Sequence, residues 1–377
     1  MTEADSPERL LFASTAQAFL EKEVPLRRVR ELHEAGVSFD PEWWRRAAEL
    51  GWTSLLVPEE LGGGSVSGNG VEDLAAIAEL AGKTVAPGPL HPVSVVLAGL
   101  VDAGGHESVI EALVSGEAVA SWAVYEPGKP WAPMTSTVTA TPTASGFRLD
   151  GVKDRVEAGA ESAFVLVVAQ SGGVLRQFLV PTDAPGVSVD PQRSVDLVKH
   201  YARIGFGGVE VDESAAVGSP EQTPALIERQ SQIAMVLQCA EVVGVLDTVV
   251  DFTIQWAFDR HSFGRPLASY QALKHRFADL KMYLEACRAT TRAATAAVSN
   301  RDRAAEVAVS VAKSYVGERA PGMIQDCVQL HGGIGVTWEH DLHLYLRRVT
   351  LYRSMFGTPE DHNLRVYALT KDLESAS

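Results

Sequence analysis

The chain is short of cysteine and of positive charge. Three cysteines occur in 377 residues: Cys239, Cys287 and Cys327. They stand far apart inside apolar helical patterns, which suits small buried core residues and argues against a redox or metal role. Lys and Arg number 33 against 48 Asp and Glu, a net charge of −15. Binding to nucleic acid or to an anionic membrane needs clustered Lys and Arg, and no such cluster is present. The N-terminal Met-Thr-Glu-Ala-Asp-Ser-Pro is acidic and has no hydrophobic signal core. Apolar runs such as Phe164-Val-Leu-Val-Val-Ala169 suit strands and are too short to cross a bilayer. The expectation is a cytoplasmic protein with no membrane span, no nucleic-acid partner and no metal.

What remains is ordinary globular material, 46% hydrophobic and 21% charged. A chain of this length exceeds one hydrophobic core, so two or three domains are expected. Up to about residue 118 the pattern is helical. Asp40-Pro41 caps a helix that stops before Gly51, and further helices are predicted over 71–81 and 93–101. From 119 to 218 the period shortens to strand alternation, with 164–169 and 174–180 flanking a Gly172-Gly173 turn as a hairpin. Several short strands at this spacing suggest a small barrel or sandwich. From 219 onward long helices are predicted over 223–259, 267–299 and 302–331, the last kinked or divided at Pro321-Gly322. Such helices pack as an antiparallel bundle. The fold class is α+β and multidomain: an N-terminal helical domain (1–118), a middle β-barrel-like domain (119–218) and a C-terminal four-helix bundle (219–377).

Two motifs in the last region carry chemistry. Arg260-His-Ser-Phe-Gly-Arg-Pro266 precedes Tyr270-Gln271, and Gln329-Leu-His-Gly-Gly-Ile-Gly335 leads into a helix ending in Arg347-Arg348. A glycine elbow lets backbone N–H groups approach an anion, and an arginine beside it can neutralise a pyrophosphate. Each piece also has an ordinary reading. Arg260 alone would complement a helix dipole, Phe263 would fill a core, Gln271 would cap a helix, and the elbow would be a turn. His340 and His343 have helical spacing, for which a solvated or structural role is the simpler reading.

The combination is more specific than its parts. Helix–barrel–bundle order, Arg-x-x-Phe-Gly with a following Gln, and Gln-x-x-Gly-Gly-x-Gly ending in Arg-Arg together resemble the acyl-CoA dehydrogenase family. The resemblance runs from Trp43-Trp44 to the end of the chain and takes in Leu56-Val-Pro-Glu-Glu-Leu-Gly-Gly-Gly64. It implies FAD as cofactor and an acyl-CoA substrate, with electron-transfer flavoprotein as acceptor. It further implies that Arg260 meets the pyrophosphate and Phe263, in its turn with Gly264, packs on the cofactor. Gln271, Gln329, Gly332 and Gly333 would contact the ADP portion, and Thr358 would also lie at the cofactor. In the family these residues come largely from the subunit opposite the flavin ring, so an oligomer is implied, typically a tetramer.

The departures are equally pointed. The family's common Glu-Gly-Thr reads Phe356-Gly357-Thr358, and the alternative glutamate position on the preceding helix reads Ala234. Neither side chain can take the α-proton of an acyl-CoA, which needs a close, aligned base. On the ring side, Thr-Glu-Pro reads Tyr125-Glu126-Pro127, and Trp-Ile-Thr reads Arg155-Val156-Glu157. A carboxylate at Glu157 beside a ring that becomes anionic is unfavourable unless Arg155 pairs with it. Glu241, two turns after Ala234, is the candidate for a relocated base; its competing reading is a buried acid paired with an arginine from a neighbouring helix. Glu157, Asp341 and Glu360 are weaker candidates. Actinobacterial enzymes of this family that act on bulky acyl-CoAs such as steroid side chains use two unlike chains, one lacking the glutamate. This chain resembles that one. The alternatives are a self-sufficient homo-oligomer using Glu241, and a non-catalytic acyl-CoA- or partner-binding protein.

Overall fold

The computed structural model describes residues 7–375. These form two compact units. One contains Arg30–Leu74 and Pro87–Ala234; the other contains Ala13–Val29, Ala75–Ala86 and the chain from Met235 onward. Segments of the N-terminal helical region therefore contribute to both.

The N-terminal helices are α1 (Pro7–Glu23), α2 (Leu26–Glu34), α3 (Pro41–Glu49), α4 (Gly70–Lys83), α5 (Leu90–Ala103) and α6 (Glu107–Val114). The Asp40 carboxylate accepts the Glu42 N–H at 2.9 Å, with proline opening the helix, as the sequence predicts. α3 buries Trp43 and Trp44.

The first unit also holds β1 (Ala120–Ala123), β2 (Thr139–Pro142), β3 (Gly146–Glu157), β4 (Phe164–Ser171), β5 (Val174–Pro181), β6 (Val187–Gln192), β7 (Tyr201–Asp212) and β8 (Ala216–Val217). They make one eight-stranded sheet in the order β6-β7-β3-β2-β4-β5-β8, with β1 beside β4. β4 and β5 are antiparallel with Ser171 opposite Val174, and Gly172 and Gly173 both have positive φ, 57° and 90°. That is the tight turn a right-twisted hairpin favours. Alternate residues Val165, Val167 and Ala169 meet Phe147, Leu149, Phe178, Ile204 and Phe206 in one apolar core. The β3–β7 register shifts between Lys153 and Val156, and Arg155 there takes φ 48°. Such an irregularity re-aims side chains.

Beyond the sheet come α7 (Thr223–Asp259), the two-stranded ribbon β9 (His261–Ser262) and β10 (Arg265–Pro266), and then α8 (Gln271–Ser299), α9 (Ala305–His331), α10 (Leu342–Ser354) and α11 (Pro359–Ser375). α8, α10 and α11 all pack on α9. Two sequence expectations need correction. α9 is not divided at Pro321 but continues from Ala305 to His331. Proline inside a helix costs about 3 kcal/mol, and packing by three neighbouring helices offsets that. The apolar runs are also not all too short for a bilayer. α7 has 37 residues and contains a stretch of mean hydropathy 1.9, enough by length and composition to span one. Scattered polar residues such as Gln238 and Glu241 hide this in the sequence. Within the protein 89% of that stretch is buried.

Candidate cofactor site

The two sequence motifs meet through the aromatic end of α7. Trp256 stacks on His331 with ring centroids 5.2 Å apart, and Phe252 meets the same imidazole edge-on at 5.7 Å. His331 Nδ1 lies 2.8 Å from the Cys327 carbonyl oxygen, which fixes the ring. One turn past Trp256 lies Arg260, and one residue past His331 lies Gly332. The arginine and the elbow are thus carried to one side of the helical unit.

Arg260 is exposed, and its guanidinium forms no ion pair among the described residues. Its carbonyl accepts the Leu267 N–H at 2.8 Å, closing the base of the ribbon. Phe263 and Gly264 form the tip, with φ of 50° and 79°. A two-residue turn with both φ positive suits glycine and strains phenylalanine, yet Phe263 stands 97% exposed there. Tyr270 braces the ribbon: its hydroxyl donates to the Ser262 carbonyl at 2.8 Å, and the Arg265 guanidinium lies 3.8 Å from its ring centroid. Gln271 begins α8 with its side chain exposed.

Gln329 is exposed in the last turn of α9, and Gly332 ends that helix at φ 68° and ψ −144°. Gly332 and Gly333 are exposed with open space around the Cβ position, whereas Gly335 is buried and a Cβ there would lie 2.7 Å from the Val328 carbonyl. The first two glycines leave the backbone open to a ligand; the third serves packing. Thr358 has a local duty. Its hydroxyl accepts the Asp361 N–H at 3.2 Å, while Asp361 accepts the Thr358 N–H at 2.9 Å, a reciprocal cap on α11. The sequence Thr358-Pro-Glu-Asp361 carries that signature, and sequence reasoning passed over it.

The interior of the same unit is differently made. Glu241 is 2% exposed and forms an ion pair with the wholly buried Arg348 of α10. The Tyr352 hydroxyl donates to its other oxygen at 2.9 Å. Arg348 also donates to the Ala86 and Val85 carbonyls at 3.3 Å. Gly82 and Gly244 bring α4 and α7 backbone to backbone: an added Cβ would lie 2.0 Å from the Glu241 carbonyl oxygen and 1.8 Å from that of Glu79. Glu241 is therefore the paired buried acid of the two sequence readings in its geometry, with both oxygens engaged. Phe356 is half-buried at φ 56°, and His362 Nε2 donates to its carbonyl at 2.8 Å. Ala234, the last residue of the first unit, is 1% exposed. The three cysteines are buried and free, their thiols pushed up by burial to about 11 at Cys239 and about 12 at Cys287 and Cys327. His340 and His343 take part in packing: His343 stacks on Trp338 at 4.4 Å, and the His340 ring lies 4.7 Å from that of His331.

In the first unit the ring-side segment is satisfied from within. Glu126 is buried against the Lys153 ammonium and the Thr137 hydroxyl. Burial pushes its carboxyl up, but the hydrogen bonds from Lys153 and Thr137 outweigh that and hold it below its ordinary value. The condition the sequence set for Glu157, a cation to pair with it, is not met by Arg155. The bend in β3 turns its guanidinium over the Tyr125 ring at 4.3 Å and onto the Glu126 and Lys129 carbonyls at 3.1 and 2.8 Å. Glu157 pairs with the buried Lys199 at 3.1 Å instead.

The acyl-CoA dehydrogenase N-terminal domain model matches residues 6–116, and the C-terminal domain model matches residues 229–368. The chain belongs to the acyl-CoA dehydrogenase family. Members are FAD-dependent oxidoreductases. The acyl-CoA dehydrogenase IpdE2 of Mycolicibacterium smegmatis is 28% identical over 96% of this chain and 99% of its own length. FadE34 of Mycobacterium tuberculosis is 31% identical over 98% of this chain, which spans 48% of that acyl-CoA dehydrogenase. Among solved structures, the Tcur3481–Tcur3483 steroid acyl-CoA dehydrogenase aligns with a TM-score of 0.87 at 26% identity, covering 98% of this chain and 99% of that one. The family's cofactor suits the donor set described above. Arg260, the amides of Gln271 and Gln329, and the uncrowded Gly332-Gly333 backbone match an anionic pyrophosphate and its nucleoside.

Proposed function

We propose that this chain is the glutamate-lacking subunit of a two-chain acyl-CoA dehydrogenase that desaturates an acyl-CoA thioester. FAD, when bound, supplies the hydride acceptor for the β-carbon of the acyl chain. Arg260 neutralises the pyrophosphate, Gln271 and Gln329 donate to the ADP portion, and Gly332-Gly333 allow close backbone approach. Phe263 offers an exposed aromatic face to the cofactor. Thr358 acts at one remove, by capping the helix that follows the Phe356 loop.

The observation that carries this reading is a contrast inside one chain. The cofactor motifs are exposed with their polar capacity unspent, while both base positions are apolar and Glu241 has both oxygens occupied. A base must be free to approach the α-proton. In this scheme the flavin ring and the base belong to a homologous subunit, and electron-transfer flavoprotein removes the electrons. The Tcur3481–Tcur3483 steroid acyl-CoA dehydrogenase, named for two gene products, supports a mixed assembly and a lipid or steroid acyl-CoA as substrate. The three family regions, 1–118, 119–218 and 219–377, would be retained in each subunit of a tetramer.

The test is purification of the chain alone and together with a co-expressed homologue. Alone it should hold little FAD and show negligible turnover; with the homologue both should appear. A self-sufficient enzyme using Glu241 would instead lose turnover in Glu241→Gln while keeping FAD. A colourless self-oligomer that stays colourless with the homologue would indicate a binding protein.

A further inference from the structure

A second polar centre lies inside the helical unit, apart from the cofactor motifs. Lys313 of α9 is 3% exposed, and no carboxylate pairs with it among the described residues. Its ammonium donates to Gln238 Oε1 on α7 at 2.8 Å and to the Tyr352 carbonyl at 2.5 Å. An ammonium has three N–H donors, so one remains. Because only an acceptor can face an ammonium, the Gln238 amide is oriented with its oxygen toward Lys313. Its Nε2, also buried, has no hydrogen-bond partner among the described residues.

Both groups line a cavity of about 10 Å³ together with Cys239, Val316, Val349 and Arg353. That is room for about one water molecule. The polar groups with hydrogen bonds wholly unspent among the described residues are donors, the third Lys313 N–H and the Gln238 Nε2–H. Gln238 Oε1 and the Tyr352 carbonyl are taken by Lys313, and the Tyr352 hydroxyl is turned to Glu241. Burial pushes the Cys239 thiol up to about 11, so it is neutral and supplies no counter-charge. His362, which also senses Lys313, is pushed down to about 4 by burial and is uncharged at neutral pH. Two converging donors and a positive charge with no carboxylate partner among the described residues favour an anion over a water molecule. An uncompensated buried ammonium calls for a counter-ion.

We propose that the Lys313–Gln238 cavity binds one monatomic anion, with chloride as the physiological occupant. Lys313 supplies the charge and Gln238 Nε2 the directional hydrogen bond. The size of the cavity excludes phosphate, sulfate and carboxylates. Bound there, the ion ties α7, α9 and α10 together at the end of α10 that leads into the Phe356 loop.

The direct test replaces chloride with bromide in crystals of the protein, prepared with whatever subunit it co-purifies with. An anomalous bromide peak in contact with Lys313 Nζ and Gln238 Nε2 is expected. A water, or no density, at that point in bromide crystals overturns the proposal. Thermal unfolding at matched ionic strength provides a second reading. Chloride in place of gluconate should raise the Tm of the wild type by on the order of 2 °C, as ligand binding to the folded state does. Lys313→Met and Gln238→Leu should each abolish that difference. Equal Tm in the two salts, or a chloride effect that survives in Lys313→Met, overturns it too. The bromide measurement needs no variant to fold.

Discussion

Arg260 and Arg348 lie in the same helical unit, one just past the end of α7 and the other within α10. Arg260 is exposed with its guanidinium in no ion pair among the described residues. Arg348 is wholly buried, matched to Glu241 and bonded to two backbone carbonyls. One has its bonding capacity in reserve and the other has spent it. The same division separates the exposed ribbon and elbow from the self-satisfied Glu126–Lys153 and Arg155–Tyr125 groups of the first unit. Charge held in reserve is available to a ligand, whereas charge spent internally holds the fold. In the proposed reading the residues in reserve are the ones that hold the cofactor, and the two positions proposed for the base carry Phe356 and Ala234.

The sharpest way to break the comparison is to exchange the behaviour of the two arginines. Arg348→Met leaves Glu241 as a buried, unmatched charge and should cost about 3–5 kcal/mol of stability, measured by urea unfolding. A loss under about 1 kcal/mol would show that the interior pair is not structural.

Lys313 comes next, because it is a buried charge with no carboxylate partner among the described residues. Burial pushes its pKa down from 10.5 to about 8. Between those values the unfolded chain binds a proton that the folded chain has released, so stability rises with pH across that window. In chloride-free buffer the rise should approach about 3 kcal/mol and disappear in Lys313→Met. The measurement is unfolding free energy against pH from 7 to 11 in both proteins.

Arg260→Met should have the opposite profile. We expect the assembled enzyme to bind FAD about 10- to 100-fold more weakly, the usual worth of a hydrogen bond to a charged group. Unfolding free energy should stay within about 0.5 kcal/mol of wild type, as for other surface changes. Flavin titration by fluorescence quenching reads the first quantity and urea unfolding the second.

The smallest effect belongs to a half-buried case, His200 in the first unit. A hydrogen bond to Glu161 raises its pKa above 6.5 against the opposing effect of burial. Its stabilisation is therefore complete below the unfolded pKa and is lost as pH rises through the folded one. His200→Gln should flatten that dependence by under about 1 kcal/mol, seen as a smaller fall in Tm between pH 5 and 8.

How much of this could be read in the chain depends on how local each feature is. The Gly172-Gly173 hairpin, the Asp40 cap and the Gly264 turn rest on local backbone preferences and are visible in sequence, whereas the left-handed Phe263 beside that glycine runs against its own preference. Glu241 was recognisable as an acid out of place in an apolar stripe, but its partner lies 107 residues away, and nothing local identifies Arg348 among the arginines. Lys313 sits in Val-Ala-Lys-Ser-Tyr and resembles any helical lysine until α7 and α10 close over it. That Glu157 needs a cation was legible, but that Lys199 rather than the nearby Arg155 supplies it was not, because the bend in β3 turns the Arg155 side chain away. The continuity of α9 through Pro321 was hidden for a related reason: the compensation comes from neighbouring helices, which sequence periodicity does not display.

As proposed, this chain holds one half of an active site. The measurement that tests it most directly is the flavin absorbance of the chain purified alone, set against that of the chain co-purified with its homologous subunit. A nearly colourless protein alone and a yellow, active complex with stoichiometric FAD are expected. Stoichiometric FAD and full acyl-CoA turnover in the homo-oligomer would contradict it.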